Sequence, residues 1–119
     1  MLERLKTIKY KTKEILEIDY SDLKEAGMIT LISDAKRLIL EQQKPVLLLS
    51  IFNNKNFASP KFVRHIETEL KVAEHLIKKN AIVGLSSIQL WIVKGINRWH
   101  KRQLHPFNSK DDALEFLVS

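Results

Sequence analysis

The sequence predicts an α/β fold: a mainly parallel sheet of about five strands, with an antiparallel strand at its N-terminal end and four helices. Three observations predict it. After two opening strand-like segments, strand-length apolar runs and helix-length amphipathic segments alternate strictly, an order that builds a parallel sheet through crossover helices. One run, Val46-Leu47-Leu48-Leu49-Ser50-Ile51-Phe52, is apolar at both parities except for Ser50, the pattern of a strand covered on both faces. The connections are short and no linker, repeat or low-complexity stretch interrupts the 119 residues, which read as one domain spanning 1–119.

The elements follow in order. Ile8 and Tyr10 lead into Lys11-Thr12-Lys13, and Ile15, Leu16 and Ile18 then run to Asp19, giving two short strands joined by a basic turn. From residue 22 to about 42, Met28, Ile29, Ile32, Ala35, Leu38 and Ile39 recur at three and four, an amphipathic helix with Ser21 or Asp22 as its expected cap. Lys44-Pro45 stops that helix and opens the apolar strand. Asn53-Asn54-Lys55-Asn56-Phe57-Ala58 has turn chemistry, and Ser59-Pro60 reads as an N-cap with proline at the first helical position. The helix is expected to run to Lys79 with Phe62, Val63, Ile66, Leu70, Ala73 and Ile77 as its core stripe. Ala81-Ile82-Val83-Gly84-Leu85 forms another short buried strand, and Ser86 or Ser87 caps a helix reaching about His100. Residues 103–107 make the last strand. Ser109 starts a final helix, with Asp112 at the position of a capping-box acid.

Composition excludes several function classes. With 45% hydrophobic and 29% charged residues the chain is neither disordered nor fibrous. Three glycines leave no room for a glycine-rich phosphate loop, and zero Cys removes disulfides, thiolate nucleophiles and thiolate metal sites. Charges from the third residue onward break any secretory h-region. The longest uncharged run, residues 80–93, is shorter than the roughly 20 residues that cross a bilayer. A cytoplasmic protein without a transmembrane segment is expected. His65, His75, His100 and His105 share no i, i+4 spacing with one another; His65 and Glu69 share a helix face, but two ligands are too few for a metal site. Gly84-Leu85-Ser86-Ser87-Ile88 lacks the second glycine of a nucleophile elbow. Neither catalysis, nor a metal, nor a cofactor is expected.

Several local sequences resemble the small STAS domains, named for sulfate transporters and anti-sigma-factor antagonists, and the SpoIIAA-like family in particular. They are Asp19-Tyr20-Ser21-Asp22-Leu23 after the second strand, Val46-Leu47-Leu48-Leu49 in the third, Ala81-Ile82-Val83-Gly84-Leu85 in the fourth and Asp112-Ala113-Leu114-Glu115-Phe116-Leu117 in the terminal helix. The resemblance extends over nearly the whole chain from about residue 5. It implies a STAS fold and a non-enzymatic regulatory module that binds a partner protein or a small anionic or lipid ligand. It also implies a phosphorylation switch at the serine that starts the helix after the third strand, here Ser59. The chain departs from the family pattern there, with Ala58 in place of an aspartate and Pro60-Lys61-Phe62 following the serine.

Ligands of open α/β sheets bind beyond the carboxyl ends of the strands, where this sequence places Ser21, Asn53, Asn54, Ser59, Ser86, Ser87 and Asn108, residue types that caps and turns also collect. Charge suggests a second surface. Residues 75–110 hold seven Lys and Arg and no Asp or Glu within a chain of formal net charge +6. Lys94, Arg98 and Lys101, with Arg102 beyond, form a stripe near Trp91 and Trp99. That stripe offers an alternative function, binding of nucleic acid or an anionic membrane, although the tryptophans also follow core periodicity and terminal cations complement a helix dipole. Nucleic acid is the less favoured partner. Leu90 and Val93 lie off the main apolar stripe of the same helix, and a homodimer is expected to cover them.

Overall fold

The computed structural model describes residues 4–56, 59–86 and 104–119. Its elements are β1 (Leu5–Tyr10), β2 (Lys13–Asp19), α1 (Glu25–Gln42), β3 (Val46–Ile51), α2 (Pro60–Ala73), a 3-10 turn (Glu74–Leu76), β4 (Ile77–Val83), β5 (Leu104–Phe107) and α3 (Lys110–Val118). The five strands form one sheet in which spatial order equals sequence order. β1 pairs antiparallel with β2, and every later pair is parallel. This is the predicted mainly parallel sheet with its antiparallel N-terminal strand. Three α-helices lie among the described residues; the fourth expected helix, between residues 86 and 100, falls outside them.

The sheet is covered on both sides. α1 and α2 pack Met28, Leu31, Ile32, Ala35, Ile39 and Phe62 over Leu16, Ile18, Leu48, Ile82 and Leu104. On the opposite face α3 lays Ala113, Leu114 and Leu117 over Ile15, Leu47, Leu49 and Ala81. Two covered faces explain why Leu47, Leu48 and Leu49 are all buried and why β3 carries no polar alternation. At the start of the sheet, β1 and β2 are joined by Lys11 (φ 48°) and Thr12 (φ 79°). Both are left-handed, as a two-residue hairpin loop requires to match strand twist.

Two helix boundaries differ from expectation. α1 begins at Glu25 with Lys24 as a cap that makes no side-chain bond, and neither Ser21 nor Asp22 caps it. The Tyr20 N–H continues the ladder by donating to the Ile51 carbonyl at 2.8 Å, and the Leu23 N–H returns to the Tyr20 carbonyl at 3.1 Å. Residues 20–23 are therefore a turn, with Asp22 at φ 65°. α2 ends at Ala73, not Lys79, and Ile77 opens β4. The pattern hides this strand because it carries a bulge: Val46 faces Ile77 but Leu47 faces Lys79, leaving Lys78 as an extra residue. The extra residue shifts the parity, so that Ile77 and Ile82 reach the same core despite their odd spacing.

Two expected caps are present. The Ser59 hydroxyl accepts from the Phe62 N–H, with proline following at the first helical position, and the Ser109 hydroxyl accepts from the Asp112 N–H at 3.2 Å. Each satisfies one donor left free at a helix start.

Candidate functional site at the carboxyl edge of the sheet

β2, β3 and β4 all end at one edge, where three loops and the start of α2 meet. Asn53 joins two of the loops: its amide nitrogen Nδ2 donates to Asp22 Oδ1 at 2.8 Å, while its Oδ1 accepts from the Asp22 N–H at 3.1 Å. The same Oδ1 accepts from the Lys55 N–H at 3.2 Å, and the Asn53 N–H donates to Asn56 Oδ1 at 2.8 Å. Asn56 is buried, and its Nδ2 donates to the carbonyls of Tyr20 and Leu23 at 2.8 and 2.9 Å. Beneath this layer the rings of Tyr20 and Phe52 stack at 4.6 Å with 6° between planes. Burial pushes the Tyr20 hydroxyl well above the usual phenol range, against a hydrogen bond from Ser50 that pulls it down.

Ser21 is held the same way. Its N–H and hydroxyl both donate to Asp19 Oδ1, at 3.0 and 2.5 Å. Arg4 Nη1 donates to the carbonyls of Asp19 and Ser21 at 3.1 and 2.7 Å. The Ser59 hydroxyl has two partners, accepting from the Phe62 N–H at 3.1 Å and donating to Glu25 Oε1 at 2.6 Å. That carboxylate stands where a phosphate on Ser59 would sit, opposing the favourable helix start.

Of the predicted rim, Ser21, Asn53 and Ser59 come together at this edge as parts of the loop framework, whereas Asn54 and Ser86 are exposed. Ser87 lies outside the described residues. So do Lys94, Arg98, Lys101 and Arg102 of the basic stripe, and Leu90 and Val93, which carried the expectation of a homodimer. Sequence reasoning missed Asn56, Arg4 and Glu25, and read Asp22 as a helix cap. The Asn53-Asn54-Lys55-Asn56 run signals a turn, but which asparagine turns inward depends on the neighbouring loop.

One charged cluster joins two helices. Glu69 Oε2 lies 2.7 Å from Lys36 Nζ, and His65 Nε2 lies 3.5 Å from Glu69 Oε1, linking α1 to α2. Among the described residues no group of three or more His, Cys, Asp or Glu is placed to hold a metal, and no helix is long and apolar enough to cross a membrane.

No protein-family model matches the chain, and no curated protein sequence does. Among solved structures it is similar to an uncharacterized protein of the DUF3478 family from Shewanella loihica PV-4, described as having a SpoIIAA-like fold. The two share 18% identity with a TM-score of 0.64, over 95% of this chain and 91% of the other. The fold is SpoIIAA-like. In this SpoIIAA-like sheet the edge described above is the one where α2 starts, so the architecture expected from the resemblance is present. The likeness speaks to fold, and function has to be argued from the site.

Proposed function

We propose that the chain is a non-catalytic, cytoplasmic binding module of STAS type, whose partner protein docks on the carboxyl edge of the sheet. One observation carries this reading: among the described residues, most of the groups that would grip a small ligand there are already bonded within the protein. The Asn53 amide, the Ser21 and Ser59 hydroxyls, and the N–H groups of Ser21, Asp22, Asn53, Lys55 and Phe62 all have partners. Interlocked loops of this kind present a preformed surface, which lowers the ordering cost of protein association. Asn54, Lys55 and Lys61 are exposed on it. Lys55 Nζ is 3.8 Å from Asp22 Oδ1, a loose pairing that a partner's carboxylate can replace.

Site-specific photocrosslinking in the cell that makes the protein tests the proposal. A photoreactive residue at position 54 is expected to trap one discrete protein, and Lys55→Glu to abolish the adduct. Equal trapping by a probe at position 9, on β1, or an adduct insensitive to Lys55→Glu, would overturn the reading.

A further inference from the structure

A second concentration of charge lies at the other end of the sheet, where β2, β3 and β4 begin. A pocket of about 290 Å³ there is lined by Lys13, Lys44, Lys78 and Lys79. One side-chain carboxylate, Glu14, shares the lining, and it lies 3.9 Å from Lys44. Among the described residues, Lys13 and Lys78 have no carboxylate within ion-pair distance. Lys79 is held in place: its ammonium donates to the carbonyls of Phe116 and Ser119, at 3.1 and 2.6 Å, and to the Ser119 hydroxyl at 3.1 Å. All three of its donors are engaged, so Lys79 supplies fixed positive charge, and Lys13, Lys44 and Lys78 supply donors.

The bulge in β4 is what assembles the cluster. Consecutive residues of a regular strand point to opposite faces, yet Lys78 and Lys79 line one pocket, because Lys78 is the extra residue of the bulge. Bulges re-aim side chains in this way. Pro45 and Val46 complete the wall with apolar surface. Ammonium groups gathered around one pocket repel each other, and a bound dianion relieves the repulsion.

We propose that this pocket is an anion site for a phosphate monoester, with the lysines around the phosphate and the organic group against Pro45 and Val46. A dianion matches the excess of ammonium groups over the single side-chain carboxylate, and the apolar wall suits an ester better than inorganic phosphate. Either a soluble phosphate ester or the headgroup of phosphatidic acid presents this chemistry.

Titration of the isotope-labelled full chain with glycerol 3-phosphate at low ionic strength, followed by NMR, tests the site. Saturable shifts are expected at the amides of Lys13, Val46 and Lys78. The double substitution Lys13→Gln, Lys78→Gln is expected to weaken binding by about tenfold or more, while Lys55→Gln at the opposite edge leaves it unchanged. Co-sedimentation with phosphatidic acid vesicles, against phosphatidylcholine vesicles, separates the sources: lysine-dependent binding in either arm supports the site and names its source. The ligand-free double variant should melt no lower than the parent, since it loses only repulsive charges. Absence of binding in both arms, shifts located elsewhere, or equal loss with Lys55→Gln would overturn the proposal, whatever the outcome at the carboxyl edge.

Discussion

Gly84 closes β4 at φ +87°, and a Cβ placed there would lie 1.9 Å from the Phe52 carbonyl oxygen. That carbonyl belongs to the backbone that carries the asparagine loop, and the Phe52 N–H donates to the Val83 carbonyl at 2.8 Å. Neither chain can withdraw without breaking the β3–β4 ladder. Gly84→Ala combines a left-handed backbone with an overlap against main chain, and is expected to cost about 3 kcal/mol or more. Urea unfolding measures this, and a loss below 1 kcal/mol, as for an ordinary surface change, would refute the close approach. At the same scale, Tyr20 shows how one aromatic ring redirects the chain. Its place in the core draws residues 20–23 into a turn and moves the start of α1 to Glu25, a displacement that cap preferences alone do not foresee.

Between elements, α3 is tied to the sheet and its hairpin at two points. At its start Lys110 Nζ lies 2.7 Å from Glu17 Oε1, and Lys6 on β1 lies 3.4 Å from the other oxygen. Glu17 is buried at 3% exposure, so its carboxylate depends on these two ammonium groups, although the Lys110 contact is ionic without hydrogen-bond alignment. Removing both with Lys6→Ala and Lys110→Ala strands a buried charge and is expected to cost about 2 kcal/mol or more, the lysines themselves being partly screened by solvent. Glu17→Met in the intact background removes the charge altogether and should be close to neutral. Chemical denaturation of the two variants discriminates: a Glu17→Met cost as large as that of the lysine pair would mean that the carboxylate does more than balance charge.

Further along α3, Glu115 Oε1 lies 2.6 Å from Lys11 Nζ and accepts from the Tyr10 hydroxyl at 2.6 Å, tying the hairpin turn to the helix. The Lys11 contact first, and the Tyr10 hydrogen bond second, hold the Glu115 carboxyl below the usual carboxylate range. The same contacts raise Lys11 and Tyr10. A depressed carboxyl contributes its stabilisation above its unfolded pKa and loses it as pH falls through the folded one. A raised lysine contributes fully below its unfolded pKa and loses it as pH rises through the folded one. The tie therefore holds across the neutral range and loosens in acid and in strong alkali. The Tyr10 ring signals, followed by NMR against pH, should show an acid transition below that of a free glutamate. Glu115→Gln should remove that transition, and its persistence would assign it to another group.

Over the whole molecule, the two ends of the sheet differ in kind. The carboxyl edge consists of loops bonded to one another, while the amino edge gathers ammonium groups that lack enough partners. Much of the architecture was legible in the sequence. β3 announces itself because burial on two faces demands an unbroken apolar run, and Ser59-Pro60 and Ser109 mark helix starts because free N–H groups need a local acceptor. β4 was partly concealed, since Lys78 breaks the alternation by which strands are recognised. Of the candidate rim, the residues could be placed at the edge, but not their bonds. Asn53, Asn56 and Asp22 acquire roles only when loops some thirty residues apart in sequence meet, as in the Asn53–Asp22 pair.

The sequence by itself determined the order of the described strands and helices, the sheet type and the caps at Ser59 and Ser109, because periodicity and capping are encoded within a few neighbouring residues. Only the tertiary structure decided which hydroxyls and amides are engaged at the carboxyl edge, where α1 begins, and that four lysines from three strand starts surround one pocket. Those outcomes depend on contacts between segments distant in the chain, and on a one-residue bulge whose effect on side-chain direction exists only once β3 and β4 are paired.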